Sequence, residues 1–181
     1  MALKKIVVIG PESTGKSTLC QALASHFNTV WVEEYAREYL ETNGIAYQYN
    51  DLSEIAAGQL NLENKYFARL KNDQNVIMID TNLYVIKIWS EYVYGTCEPW
   101  ILETIAQRTY DLYLLCKTDI PWEFDPLREY PDLAAREKLY HIYKDHMVNQ
   151  HVPWVEIGGS YEERFERAKA AIVELLQGKV N

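Results

Sequence analysis

Five short apolar runs, mostly β-branched, recur along the chain, and between them the apolar positions fall at helical spacing. The first, Ile6-Val7-Val8-Ile9, is apolar without interruption, as a strand buried on both faces must be. Thr29-Val30-Trp31-Val32 is the second, Asn75 to Asp80 the third, Leu112 to Cys116 the fourth and Pro153 to Ile157 the last. Helix-forming residues fill Leu19 to Ala24 and Tyr35 to Thr42, where Asn43-Gly44 stops the chain and Ile45 to Asn50 forms a loop. Asp51-Leu52-Ser53-Glu54 reads as a capping box. It opens a long helix with Ile55, Leu62, Tyr66 and Leu70 on one face, ended by Asn72-Asp73. Tyr84, Ile88, Trp89 and Tyr92 continue the helical pattern, which breaks at Gly95, restarts near Pro99 and runs to Thr109. Asp132 caps a further helix to about Met147. Ser160-Tyr161-Glu162-Glu163 is a second capping box, opening a final helix that ends near Gly178.

Strands alternating with helices require a mostly parallel sheet with helices on both faces, three layers in all. Such a sheet binds ligands outside the carboxyl ends of its strands. Between Thr118 and Pro131, Pro121, Pro126 and Pro131 interrupt a mixture of aromatic, acidic and basic residues, a composition suited to a mobile lid near 118–132.

Bulk properties narrow the class. A length of 181 residues suits one domain, 1–181, with a sizeable core, and 48% hydrophobic with 24% charged residues is ordinary for a soluble globular protein. No apolar run approaches a membrane span, and Met1-Ala2-Leu3-Lys4-Lys5 leads directly into the first strand, so neither a membrane partner nor a signal peptide is expected. Cys20, Cys97 and Cys116 are widely spaced with no C-x-x-C pair, which points to buried free thiols and a cytoplasmic location. A net charge of −8, with Lys4-Lys5 the only adjacent basic pair, argues against nucleic acid as a partner. The 14 tyrosines and 5 tryptophans are unusual for this length; most must pack in the core, while some could offer flat faces to an aromatic ligand.

The densest chemical signal is Gly10-Pro11-Glu12-Ser13-Thr14-Gly15-Lys16-Ser17-Thr18, which fits G-x-x-x-x-G-K-[ST] between a strand and a helix. That order aims free backbone N–H groups and a helix N-terminus at a phosphate chain. Lys16 would reach β- and γ-phosphates, and the Ser17 hydroxyl would ligate Mg²⁺, which makes ATP and Mg²⁺ the expected cofactors and the fold class that of a P-loop NTPase.

Carboxylates follow at the ends of other strands. Asp80 closes an apolar strand as a Walker-B residue does, with a metal-binding role beside Ser17 or, alternatively, a cap on the next helix. Glu33 and Glu34 end the second strand. Glu34 is the better general base because Tyr35 and Arg37 follow it on the adjoining helix, the alternative being an acidic first helical turn. In the lid stretch, Arg128 and Arg136 could stabilise a migrating phosphoryl group, or pair with the many nearby carboxylates. Trp122 could stack on a planar ligand or pack in a minor core. Cys116-Lys117-Thr118-Asp119 approaches a guanine-recognition box, but Cys116 stands where an amide or hydroxyl is needed and Asp80-Thr81-Asn82-Leu83 lacks a switch glycine, which argues against a GTPase. His141, His146 and His151 form no metal-ligand pattern and read as surface residues.

With these residues in view, the sequence resembles the nicotinamide-riboside kinase domain of the bacterial NAD-biosynthesis regulator family, which is related to thymidylate and deoxynucleoside kinases. The matching pieces are the phosphate loop, Glu34-Tyr35-Ala36-Arg37-Glu38, Gln48 to Asp51 with Ala57-Gly58-Gln59, Ile79-Asp80-Thr81, Trp122 to Arg128, and Ser160-Tyr161. The resemblance implies ATP- and Mg²⁺-dependent phosphorylation of a ribose 5′-hydroxyl, that of nicotinamide riboside first. It further implies catalytic roles for Lys16, Glu34, Asp80, Arg128 and Arg136, with either Glu34 or Asp80 approaching the hydroxyl as base, and nucleotide contacts from Gly10 to Thr18 with Gly159 and Ser160 near adenine. A substrate side would comprise Glu34, Tyr35, Arg37, Asp51, Gln59 and Trp122, with Ser17 and Asp80 on the metal. Asn82 departs from the pattern, standing where a second carboxylate is expected. The length leaves no room for the adenylyltransferase and DNA-binding parts of the full regulator, so neither activity is expected here. A kinase for another nucleoside or nucleoside monophosphate, and a regulatory module that binds ATP or NAD with little turnover, stand as alternatives.

Overall fold

The computed structural model describes residues 2–71 and 74–179. Five parallel strands, β1 (Lys4–Ile9), β2 (Trp31–Val32), β3 (Val76–Asp80), β4 (Leu112–Cys116) and β5 (Trp154–Ile157), form one sheet in the order β2-β3-β1-β4-β5. Among the described residues seven helices pack around it: α1 (Lys16–His26), α2 (Tyr35–Asn43), α3 (Tyr49–Phe67), α4 (Leu83–Tyr94), α5 (Pro99–Gln107), α6 (Leu133–Val148) and α7 (Tyr161–Leu176). This is the three-layer α/β arrangement expected of the sequence. None of these helices is long and apolar enough to cross a membrane.

The two-residue period of a strand sorts the core. Ile6, Val8, Val76, Met78, Leu112 and Leu114 face α1 and α7 with Leu19, Leu23, Ala168 and Ile172. Val7, Ile9, Ile77, Ile79, Tyr113 and Leu115 face the other way, against Ile88 of α4 and Leu139, Tyr140, Tyr143 and Met147 of α6. Both faces of β1, β3 and β4 are therefore dry, which is why those runs carry no alternation. A third cluster, Leu52, Ile55, Ala56, Leu83, Ile86 and Ile101, binds α3, α4 and α5 together.

Several boundaries differ from the sequence pattern. β2 starts at Trp31 rather than Thr29. The long helix α3 begins a turn before the expected box: Gln48 is its N-cap, and the Asp51 carboxylate accepts the Gln48 N–H at 2.6 Å, so Asp51 closes the box instead of opening it. α3 ends at Phe67, short of Leu70, and the expected stop at Asn72-Asp73 lies outside the described residues. α5 stops at Gln107, where Arg108 turns extended. Gly95 ends α4 in the left-handed region, φ 72°, and the Ser160–Glu163 box opens α7 as expected.

Strand β1 is the point where the chain's direction across the sheet reverses, β3 and β2 lying to one side and β4 and β5 to the other. The crevice at the carboxyl end of β1 is thus the topological position for a ligand. Residues 10–15 leave β1 there.

Candidate active site

The phosphate loop is held in shape by backbone geometry that its two glycines permit. Gly10 has φ 138°, and a Cβ on it would sit 2.7 Å from the Cys116 carbonyl oxygen. Gly15, at φ 76°, is the N-cap of α1 and points the first N–H groups of that helix into the loop. Thr14 Oγ1 donates to the Pro11 carbonyl at 2.7 Å, and Lys16 Nζ donates to the same oxygen at 2.9 Å. Lys16 is thereby folded back over the loop it would leave to meet a phosphate.

Two buried arginines brace the loop from behind. Arg136 donates to the Ser13 carbonyl at 3.0 Å and to the Ile120 carbonyl at 3.4 Å. It is 2% exposed, and burial lowers its pKa. The sequence placed Arg136 among the catalytic groups. The structure instead leaves it off the cavity wall, its Nη2 bonded to two backbone carbonyls and its Nε buried without a partner. Arg164 of α7, which nothing in the sequence singled out, donates to the Thr14 carbonyl at 3.0 Å and to the Lys117 carbonyl at 3.2 Å, and pairs with Asp119. Asp119 also accepts the Gly159 N–H at 2.6 Å, so the residues that mimic a guanine box are engaged in tying α7 to the loop.

The stretch 118–132 lies folded onto the loop. The Glu12 carboxylate accepts the backbone N–H of Glu129 at 3.0 Å and that of Tyr130. Ser13 Oγ accepts from the Glu123 N–H at 2.9 Å and from Arg128 Nη1 at 3.2 Å. Arg37 pairs with Asp125, whose carboxyl is held below the usual range by the Leu127 N–H and by that guanidinium. The Glu12 carboxylate holds two lid amides, so Glu12→Ala is expected to raise the rate of limited proteolysis within residues 121–131 about tenfold, the size of losing bonds to a charged acceptor. An unchanged cleavage rate would show that other contacts hold the lid.

A cavity of about 210 Å³ opens between these parts, lined by all of residues 10–18 together with Glu34, Arg37, Arg128, Glu129 and an aromatic wall of Trp89, Tyr92, Tyr130 and Tyr143. Of the expected residues, the nine of the loop, Glu34, Arg37 and Arg128 meet here. Glu34 lines the cavity and Glu33 does not, which separates the two carboxylates the sequence could not fully resolve. Trp122, Tyr35, Asp51, Gln59, Gly159 and Ser160 are not on this wall. Trp122 packs edge-on against Phe124 with its indole N–H buried and unpartnered. Trp89 and Tyr92 carry the flat faces instead; in the sequence they were visible only as part of an apolar helical stripe. Ser160 caps α7, and Asp51 caps α3 while accepting from the Tyr39 hydroxyl at 3.0 Å.

Asp80 is not on the cavity wall; it is 1% exposed, with both carboxylate oxygens buried and without a hydrogen-bond partner. The cap of α4 is Asn82, whose Oδ1 accepts the Tyr84 N–H at 3.1 Å, so the helix-cap reading of Asp80 falls away. Burial and the Glu34 charge push Asp80 up to about 7, while Lys16 and Ser17 pull against that rise. Ser17 is near enough to act on it without forming a well-aligned hydrogen bond. Among the described residues no three His, Cys, Asp or Glu side chains cluster to hold a metal unaided. All three cysteines are buried and free, and burial raises Cys116 to about 12, so none is a ready nucleophile. His146 departs from its surface assignment: it is half-buried 3.2 Å from Lys87 Nζ, and burial lowers its pKa.

Sheet order, phosphate loop and crevice define a P-loop NTPase fold, and the chain belongs to the AAA domain family, whose model matches residues 5–164. It is 28% identical over 179 residues to the trifunctional NAD biosynthesis/regulator protein NadR of Escherichia coli strain K12, a match covering 96% of this chain and 43% of that protein. Two solved structures share the fold. One is NadR protein in complex with NR, at 23% identity and TM-score 0.76, covering 96% of this chain and 51% of that one. The other is NadR protein in complex with NAD and AMP-PNP, at 24% identity and TM-score 0.72, covering 99% and 51%. The chain thus spans less than half the length of the curated relative, and the likeness to the NAD-biosynthesis regulator noted in the sequence stands.

Proposed function

We propose that residues 1–181 act as one kinase unit that transfers the γ-phosphoryl group of ATP to the 5′-hydroxyl of a small nucleoside, nicotinamide riboside foremost. The observation that carries this reading is a cavity in which an entire phosphate loop faces Glu34, Arg128 and an aromatic wall. Phosphoryl transfer asks for cations around the phosphate chain, a group to take the acceptor's proton, and exclusion of water. Lys16 and the loop amides supply the first, aided by Arg128 from the lid. Glu34 supplies the second at the cavity wall. Lid closure supplies the third. Trp89 or Tyr92 would hold the base by stacking, in place of Trp122.

Mg²⁺ fits the residues present. Asp80 offers two buried oxygens with no partner, and Ser17 an exposed hydroxyl on the first turn of α1. Held there with phosphate oxygens and water, the ion would neutralise charge on the β- and γ-phosphates. Similarity to NadR, including the relatives solved with NR and with AMP-PNP, favours nicotinamide riboside as acceptor and ATP as donor.

The test is ATP consumption by the pure protein with Mg²⁺ across a nucleoside and nucleoside-monophosphate panel. Nicotinamide riboside is expected to stimulate turnover above every other acceptor. Stimulation by a different acceptor would keep the mechanism and discard the substrate. No stimulation by any would favour an ATP- or NAD-binding regulatory module.

A further inference from the structure

Gln59 lies in the middle of α3, 1% exposed and away from the cavity wall, yet its amide meets backbone on both sides of the site. Its Oε1 accepts the Tyr35 N–H at 2.8 Å. Its Nε2 donates to the Glu33 carbonyl at 3.3 Å and, at the longer reach of 3.5 Å, to the Thr81 carbonyl. Glu33 and Tyr35 flank Glu34, and Thr81 follows Asp80. One side chain therefore spans the peptides that carry both carboxylates.

The surroundings make this brace specific. Glu34, the N-cap of α2, makes no side-chain capping bond that would fix its carboxylate from within its own helix. Thr81 is a non-glycine residue at φ 65°, a conformation that needs outside support. That support comes from its N–H donating to the Val8 carbonyl at 3.0 Å and from the Gln59 amide. The residue before Gln59, Gly58, lets α3 approach: a Cβ there would lie 1.9 Å from the Tyr35 ring. The turn that presents Glu34 is thus pressed onto α3 by Tyr35 and stapled to it by Gln59.

We infer that Gln59 is a positioning residue that sets the place of Glu34 relative to Asp80, rather than a substrate contact. The inference rests on the kinase reading. Without the amide, the β2–α2 turn loses both bonds flanking Glu34, and its carboxylate leaves the line to the acceptor hydroxyl while the phosphate loop stays in place. A displacement of about 1 Å in such a group lowers turnover by up to about a hundredfold.

The experiment is a kinetic double-mutant cycle with Gln59→Met, which keeps an unbranched side chain of similar volume, and Glu34→Gln, using the full chain, MgATP and the best acceptor of the panel. Expected for Gln59→Met is a fall in kcat of about 10- to 100-fold with KM for ATP changed less than about threefold. In the double variant the Gln59 substitution should cost no more than about twofold beyond Glu34→Gln alone, because the group it positions is already gone. Multiplicative losses, or a rise in acceptor KM with kcat unchanged, would overturn the positioning role. Should Gln59→Met not fold, Gln59→Glu retains the acceptor for the Tyr35 N–H and loses the donors, and the same split in kcat and KM applies to it. An inactive wild type would discard the kinase reading and this inference together; an active wild type matched by both variants would discard the inference alone.

Discussion

Asp80→Asn is expected to cut turnover at least about a hundredfold and, in the same protein without ligand, to raise the melting temperature at pH 8. The first effect follows from the proposed role of that charge in holding Mg²⁺ beside Ser17. The second follows from what that charge costs where it is buried without a partner. The carboxylate is buried, its oxygens lack partners, and burial with the Glu34 charge lifts its pKa to about 7. In the unfolded chain it titrates near its ordinary value of 3.8. Between those values the native state holds a proton that the unfolded state has released, so stability falls as pH rises through the window. The advantage is complete below about pH 3.8 and lost above about pH 7. A neutral Asn escapes that loss, which is on the order of 2–4 kcal/mol. Allowing for an imperfectly bonded amide, the gain at pH 8 should be about 3–8 °C and should shrink toward zero near pH 4. Calorimetry at the two pH values decides it. Equal melting temperatures of variant and wild type at pH 8 would show that the Asp80 charge is compensated.

The companion result is for Glu34→Gln, expected to lower kcat at least about a hundredfold while leaving KM for ATP within about threefold, since the loop that binds the nucleotide keeps every bond it has. This substitution also reaches Asp80. After burial, the Glu34 charge is the largest influence raising the Asp80 pKa, so removing it moves that pKa back toward 3.8. The window in which stability declines then closes from its upper end, and the variant should gain stability over wild type at pH 7–8 but not at pH 4. Urea midpoints across that range measure it. Loss of activity without the pH-dependent gain would separate the catalytic role proposed for Glu34 from its electrostatic coupling to Asp80. Near-normal turnover in both variants would remove these two carboxylates from the mechanism.

These effects share one origin. A phosphoryl-transfer site needs anionic groups near a polyanion, and such groups repel one another until cations arrive. Around that charge the fold places Lys16, resting on the Pro11 carbonyl, and the 118–132 stretch, fastened to Glu12 and Ser13.

What the sequence determined by itself is local or periodic. Nine consecutive residues between an apolar strand and a helix define the phosphate loop, because its chemistry resides in contiguous backbone amides with one lysine and one hydroxyl. Alternating strands and helices define the parallel sheet, and Asp80 and Glu34 were legible because each ends a strand in such a sheet. Tertiary structure alone decided which neighbours of those residues face the cavity. Glu33 and Glu34 differ only in the direction the β2–α2 turn gives them, and that turn is set by Gln59, 24 residues away from Tyr35. Arg128 and Arg136 read alike in sequence, yet one reaches the cavity while the other spends its bonds on Ser13, 123 residues distant. Trp122 looked suited to stacking because it stands in a loop, whereas Trp89 and Tyr92 looked like ordinary core because helical spacing shows which residues share a face and not what that face meets. Only the packing of α4 and α6 across the crevice turns part of a hydrophobic stripe into the wall of the cavity.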